Sequence, residues 1–134
     1  MEDILYKDLS YKLNGILFKA QNILGTKFQE KHYLKTACAL LQAENILYAI
    51  EVPFQIKVNG FIVGSFRADL VVDGKILLEL KTTDRLTNDH KMQLLRYLQA
   101  LNLRLGLLVN FRIRPLTILR VVNKNGADGL PLAK

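Results

Sequence analysis

One cysteine, Cys38, is all that 134 residues provide, which rules out a framework of internal disulfides and suits a reducing compartment. It falls within an apolar helical pattern, where a structural thiol is expected rather than a nucleophile. No apolar run approaches the roughly 20 residues needed to cross a bilayer, and no secretory hydrophobic segment opens the chain. The expectation is a soluble cytoplasmic protein. Internal repeats and low-complexity tracts are also missing, as are a P-loop, a nucleotide-binding glycine motif, a CxxC pair and an HExxH zinc motif. Acidic side chains are in short supply. Asp plus Glu number 12 against 19 Lys plus Arg, a formal charge of +7, which favours a polyanionic partner.

What is present fits one domain spanning residues 1–122, large enough to bury about two thirds of its unfolded surface. Leu9, Leu13, Ile16, Leu17, Ala20 and Leu24 recur at helical spacing, so a helix is predicted over 8–24, stopped by Gly25. A second runs from about Gln29 to Glu44. A strand from Leu47 to Val58 is closed by Asn59-Gly60, the strongest short-range hairpin signal, and further strands cover 61–72 and 75–82. Pro53 has no amide proton and should lie at an edge or bulge. Thr87 or Asn88 caps a third helix with a Leu94, Leu95, Leu98, Leu101 stripe. Leu105 to Asn110 reads as a strand buried on both faces, and Leu116 to Val122 as a last strand. The polar, glycine-bearing segment from Asn123 to Lys134 is expected to be a mobile tail. The class is α/β (α+β): a mixed sheet flanked by helices.

Charges inside apolar strand sequence need a use, because burying a carboxylate is expensive unless it is paired or bound to a cation. Asp69 sits in Arg67-Ala68-Asp69-Leu70-Val71-Val72, and Glu79 and Lys81 in Ile76-Leu77-Leu78-Glu79-Leu80-Lys81. A two-residue turn at Asp73-Gly74 would send the two acids to opposite faces of the sheet. An odd loop, such as three residues with Gly74 left-handed, puts Arg67, Asp69, Glu79 and Lys81 on one face. The same register gathers Ala68, Leu70, Val72, Ile76, Leu78 and Leu80 on the other, so hydrophobic pattern and site demand one register.

Two neighbouring carboxylates can hold a hard divalent cation, Mg²⁺ or Mn²⁺, with the backbone carbonyl of Leu80 as a third ligand. Lys81 would then orient water or neutralise developing charge in phosphodiester hydrolysis. This order of elements with D-x(9)-E-x-K resembles the restriction-endonuclease-like αβββαβ core of the PD-(D/E)XK nuclease superfamily, preceded by an extra N-terminal helix. Within that superfamily the chain is similar to the small GxxExxY proteins, through Leu24 to Tyr33, Arg67 to Leu70, Glu79-Leu80-Lys81 and Gly106 to Phe111. Lys27 replaces the glycine of that motif, and a left-handed backbone there would cost about 1 kcal/mol. The resemblance implies that Glu30 joins the metal site from the second helix. It also implies that Gln93 and Tyr97, a Q-x-x-x-Y pair on one face of the third helix, contact substrate, with Tyr97 stacking on a base.

The reading is therefore a magnesium-dependent nuclease acting on DNA, with Asp69, Glu79, Lys81 and Glu30 at the centre and Arg67, Gln93 and Tyr97 on the substrate. Basic residues from Arg85 to Lys124 could follow a phosphate backbone. His90 is expected to be an exposed first-turn residue, His32 has no assigned role, and Thr83 and Asp84 suit a turn. The rivals are a nucleic-acid-binding module without turnover and an accessory domain that binds another protein. A homodimer would let two sites address two strands.

Overall fold

A computed structural model describes residues 4–128. Helix α1 runs from Lys7 to Leu24 and α2 from Glu30 to Ala43. They are followed by strands β1 (Tyr48–Val58), β2 (Phe61–Val72) and β3 (Ile76–Lys81), helix α3 (Asn88–Leu101), and strands β4 (Leu105–Asn110) and β5 (Thr117–Val122). The sheet order is β1-β2-β3-β4-β5, with β3 and β4 parallel and every other pair antiparallel. A parallel pair needs a crossover, and α3 supplies it.

Two apolar layers enclose the sheet. On one face Leu13, Ile16 and Leu17 of α1 and Tyr33, Ala37 and Leu41 of α2 cover Leu70, Leu78, Leu80, Leu107 and Val109. On the other, Leu94 and Leu98 of α3 cover Phe54, Ala68, Val71, Leu77 and Leu108. All six residues of β4 are buried, as its unbroken apolar run requires. Cys38 is half-buried and its thiol is pushed up by that burial, with Tyr48 nearby acting the other way.

The β2–β3 register is the one that the hydrophobic pattern demands. Val72 pairs with Ile76 and Leu70 with Leu78, leaving a loop of Asp73, Gly74 and Lys75. Gly74 is left-handed at φ 64, and Asp73 shares that conformation at φ 54. The strand β1 lies at the sheet edge, where the missing amide of Pro53 costs nothing.

Alternation along the first hairpin is interrupted. Tyr48 packs into the α1/α2 layer, whereas Val52 and Phe54, of the same parity, pack into the α3 layer. Across the ladder Leu70 belongs to the first layer but Ala68 to the second, so Ala68 does not join the apolar face expected for it. The cause is Glu51, opposite Asp69, whose left-handed φ of 49 turns the strand over within one residue. Beyond this point β1 and β2 project as an arm that β3 does not reach.

The segment after β5 is not free as far as it is described. The Asn123 amide donates to the Leu103 carbonyl, the backbone N–H groups of Asn123 and Ala127 donate to Arg104 and Asn102, and Arg104 pairs with Asp128. Polar side chains read as tail composition are here answering the open carbonyls between α3 and β4. Residues 129–134 of the expected mobile tail lie outside the described residues.

Candidate active site

The site grows from the end of the β2–β3 ladder. Below Leu70↔Leu78 the strands part, and the Leu80 N–H donates to Asp69 Oδ2 at 3.1 Å in place of a backbone carbonyl. N–H and C=O of one extended residue point to the same strand edge, so the Leu80 carbonyl also faces the side from which Asp69 comes. Glu79 alternates with Leu78 and Leu80, which are sealed under α1 and α2, and therefore points to the α3 side. Lys81 follows it there.

Glu79 is 7% exposed, and its Oε1 is buried with no hydrogen-bond partner. Burial first, and then the charge of Asp69, push its carboxyl up to about 8, while Lys81 acts in the opposite direction. Asp69 is raised as well. Burial is the main cause and the Glu30 charge adds to it, against the Leu80 N–H and Lys81. Two acids held together, one with an orphaned oxygen, make an arrangement that is unfavourable until a cation joins it. All donors are hard oxygens, which fits Mg²⁺ or Mn²⁺ and not a thiolate-seeking metal.

Glu30 stands apart. It is the first residue of α2, exposed, and its Oε2 accepts a hydrogen bond from Thr82 Oγ1 at 3.1 Å. Among the described residues no three of His, Cys, Asp and Glu are gathered as a ready cation site. The expected convergence of three acids is thus reduced to two. The reason is the layering: α2 covers the opposite face of the sheet from Glu79, so Glu30 arrives around the strand end and is felt by Asp69 only through its charge.

The residues expected to contact substrate separate similarly. Tyr97 is half-buried with its ring edge-on to Phe54 at 4.8 Å and tilted to Phe66 at 5.7 Å, so it is engaged by neighbours instead of free to stack on a base. Burial and the charges of Glu79 and Asp69 raise its hydroxyl, which places it beside the acids. Gln93 is exposed one turn earlier on α3. Arg67 is not turned to the acids but meets Glu51 at 3.6 Å, with both side chains largely in solvent. Such a pair stabilises little, so Arg67 stays available to a ligand.

Several supporting residues escape sequence reasoning. The buried Asn110 accepts from the N–H of Thr83 and donates to the Thr83 carbonyl, clamping the chain just past Lys81. Gln21, also buried, donates to the carbonyls of Phe111 and Ile113. Both interrupt apolar runs, which was the available signal. Tyr33 is buried, stacks on Phe111 at 4.2 Å and donates to the Gly25 carbonyl, fixing the α1–α2 turn that presents Glu30. Gly25 is left-handed at φ 80 while Lys27 is not, so the lysine in the motif carries no backbone strain. His90 and His32 are helix caps: the Nδ1 of each accepts the N–H of Thr87 and Gln29 respectively. Arg120 is occupied by Ser10 Oγ and the Leu5 carbonyl.

Comparison with curated proteins gave no match. Among solved structures, the chain is similar to one titled "Crystal structure of SSO0001", with 28% identity, a TM-score of 0.50 and 66% of this chain covered. The likeness spans 46% of that other chain. The shared architecture is the restriction-endonuclease-like fold: two N-terminal helices and a five-stranded mixed sheet with one helix inserted. Residues 7–121 match a sequence profile of the PD-(D/E)XK nuclease superfamily, and the chain belongs to that superfamily.

Proposed function

We propose that the chain is a divalent-cation-dependent nuclease of the GxxExxY group that hydrolyses phosphodiester bonds in DNA. The single observation carrying this reading is the buried, unpartnered Glu79 Oε1 beside Asp69, with Lys81 two residues on along the same face. A protein with no use for it would not retain such an arrangement cheaply, because an orphaned buried acceptor costs about 1–3 kcal/mol. Asp69, Glu79 and the Leu80 carbonyl would hold Mg²⁺ or Mn²⁺, and Glu30 would approach it from the second helix. When bound, that ion would supply positive charge and an acidified water next to the scissile phosphate. Lys81 stands where it can hold a water or meet negative charge gathering on the phosphate oxygens. Tyr97 lines the same side, and Gln93 and Arg67 offer polar contacts to the strand being cut.

The test is cleavage of a panel of labelled single-stranded, duplex and branched DNA, with RNA counterparts, in Mg²⁺ and in Mn²⁺. Cutting by the wild type and not by Glu79→Ala or Lys81→Ala is the expected result. Tight, salt-sensitive binding without cutting on any substrate would replace the nuclease by a binding module. No nucleic-acid binding at all would leave a protein partner.

A further inference from the structure

Phe66 is 37% exposed in the projecting arm, which also bares Val58, Phe61, Ile62 and Val63 nearer its tip. Its position is built from three features. The turn-over at Glu51 and Asp69 brings Phe66 to the α3 side, which is also the side of Asp69 and Glu79; regular alternation would have sent it the other way. Gly64, two residues earlier, leaves the space into which the ring settles: a Cβ there would lie 2.5 Å from the ring. Phe54 backs the ring in a stacked arrangement, with centroids 5.8 Å apart and planes 27° from parallel. Tyr97 then bridges the ring to the acids, 5.7 Å from Phe66 by centroids.

The arm's own charges have one sign, with Glu51 at its base pairing with Arg67. From Val52 to Ala68 the arm contains Lys57 and Arg67 and no acid. Arg67, next along the strand, is on the opposite face and pairs with Glu51 at 3.6 Å, and the outer edge of β2 over residues 61–68 has no partner strand among the described residues. A supported, flat apolar face on an arm whose own charges are cationic matches a base of a polyanionic strand. Paired bases hide their faces in the stack, so only an unpaired base can use such a platform.

The geometry points to Phe66, backed by Phe54, as a stacking platform that seats an unpaired base of the polynucleotide one step away from the Asp69–Glu79 centre. This deepens the nuclease reading and rests on it. It also moves the stacking role from Tyr97, whose ring is already covered, to a residue outside the sequence motifs.

The absence of tryptophan from the chain gives a clean probe. Phe66→Trp places a single indole on the platform, and Phe61→Trp places one at the arm tip, where Phe61 is 76% exposed and remote from the acids. Each variant is titrated in EDTA with fluorescein-free single-stranded oligonucleotide while anisotropy of a labelled copy reports binding separately. Quenching of the indole at 66 and not at 61, in step with single-strand binding and much weaker with blunt duplex, is the expected outcome. Phe66→Ala should weaken single-strand binding by roughly 5- to 100-fold, and Phe66→Leu, which keeps the apolar bulk, should share that loss. Binding with no quenching at 66, equal quenching at both positions, or full rescue by leucine would overturn the platform alone. No anisotropy change with any oligonucleotide would remove the nuclease reading and the platform with it.

Discussion

In the absence of a divalent cation, the protein should lose stability as pH rises, the reverse of ordinary acid denaturation. Glu79 carries the effect. Its carboxyl is pushed from 4.5 in a free side chain to about 8 in the folded protein, first by burial and then by Asp69. Below 4.5 it is protonated folded and unfolded, so nothing is lost. Above about 8 it is ionised in both states and the folded one bears the whole cost. Between these limits folding takes up a proton, and stability falls with each step of pH. The interval, at about 1.4 kcal/mol per tenfold change in proton affinity, amounts to on the order of 5 kcal/mol at saturation. Asp69, raised for the same main reason, adds in the same direction. Against a total stability of about 5–15 kcal/mol this is large, and it corresponds to a drop in Tm of roughly 10–20 °C. Thermal melts followed by circular dichroism in EDTA, from pH 4.5 to 9 at constant ionic strength, measure it. Glu79→Gln keeps the shape and removes the titration, so its melts should fall away from the wild type in the opposite sense, gaining relative stability as pH rises. Adding Mg²⁺ should raise the wild-type Tm far more at pH 8 than at pH 5. Parallel curves for wild type and Glu79→Gln in EDTA would refute the burial of a charged carboxyl at this position.

Other expectations follow from individual side chains. Asp69→Asn retains an oxygen for the Leu80 N–H and removes a charge beside Glu79, so in EDTA it should be as stable as the wild type or more so, yet calorimetry should find its Mn²⁺ site greatly weakened. Leu78→Ala opens a cavity between the sheet and the first two helices and should cost about 2–5 kcal/mol in urea unfolding. Thr87→Ala removes a cap that accepts the His90 N–H and should cost about 1 kcal/mol, with no change in metal affinity. Asn110→Ala frees both backbone groups of Thr83 and should increase hydrogen exchange just past Lys81 before it changes the global melt.

How far the sequence carried the reading depends on the distance over which each feature is decided. The β2–β3 register was legible because parity left one choice: Leu78 and Leu80 could be buried with Leu70 only if the loop between the strands was odd. The turn-over at Glu51 was not, since Tyr48, Ile50, Val52 and Phe54 alternate without a break in sequence and glutamate does not announce a left-handed backbone. That one residue decides the exposure of Phe66 and the placing of Ala68. Glu30 was found by resemblance, but its approach from the opposite layer is a property of α2 packing on the far face, which no local pattern states. His32 and His90 could have been read as caps from their i, i+3 relation to Gln29 and Thr87, with imidazole standing where a capping box has Glu or Gln. Gln21 and Asn110 answer carbonyls and amides far away in sequence or around a corner, and only their intrusion into apolar stripes hinted at them.

The layer formed by α1 and α2 also bears on how the chain is made. These helices leave the ribosome before the sheet that packs on them, and the surfaces that cover Leu17, Tyr33 and Leu41 include Leu107, Val109 and Phe111, much later in the sequence. Translation at about 5–20 residues per second leaves the apolar faces of a finished helix pair without their sheet for several seconds. In that interval the nascent chain presents two amphipathic helices and then a strand arm, none with its final cover, so the stretch from α1 to β2 should be a client for holding chaperones until β4 emerges.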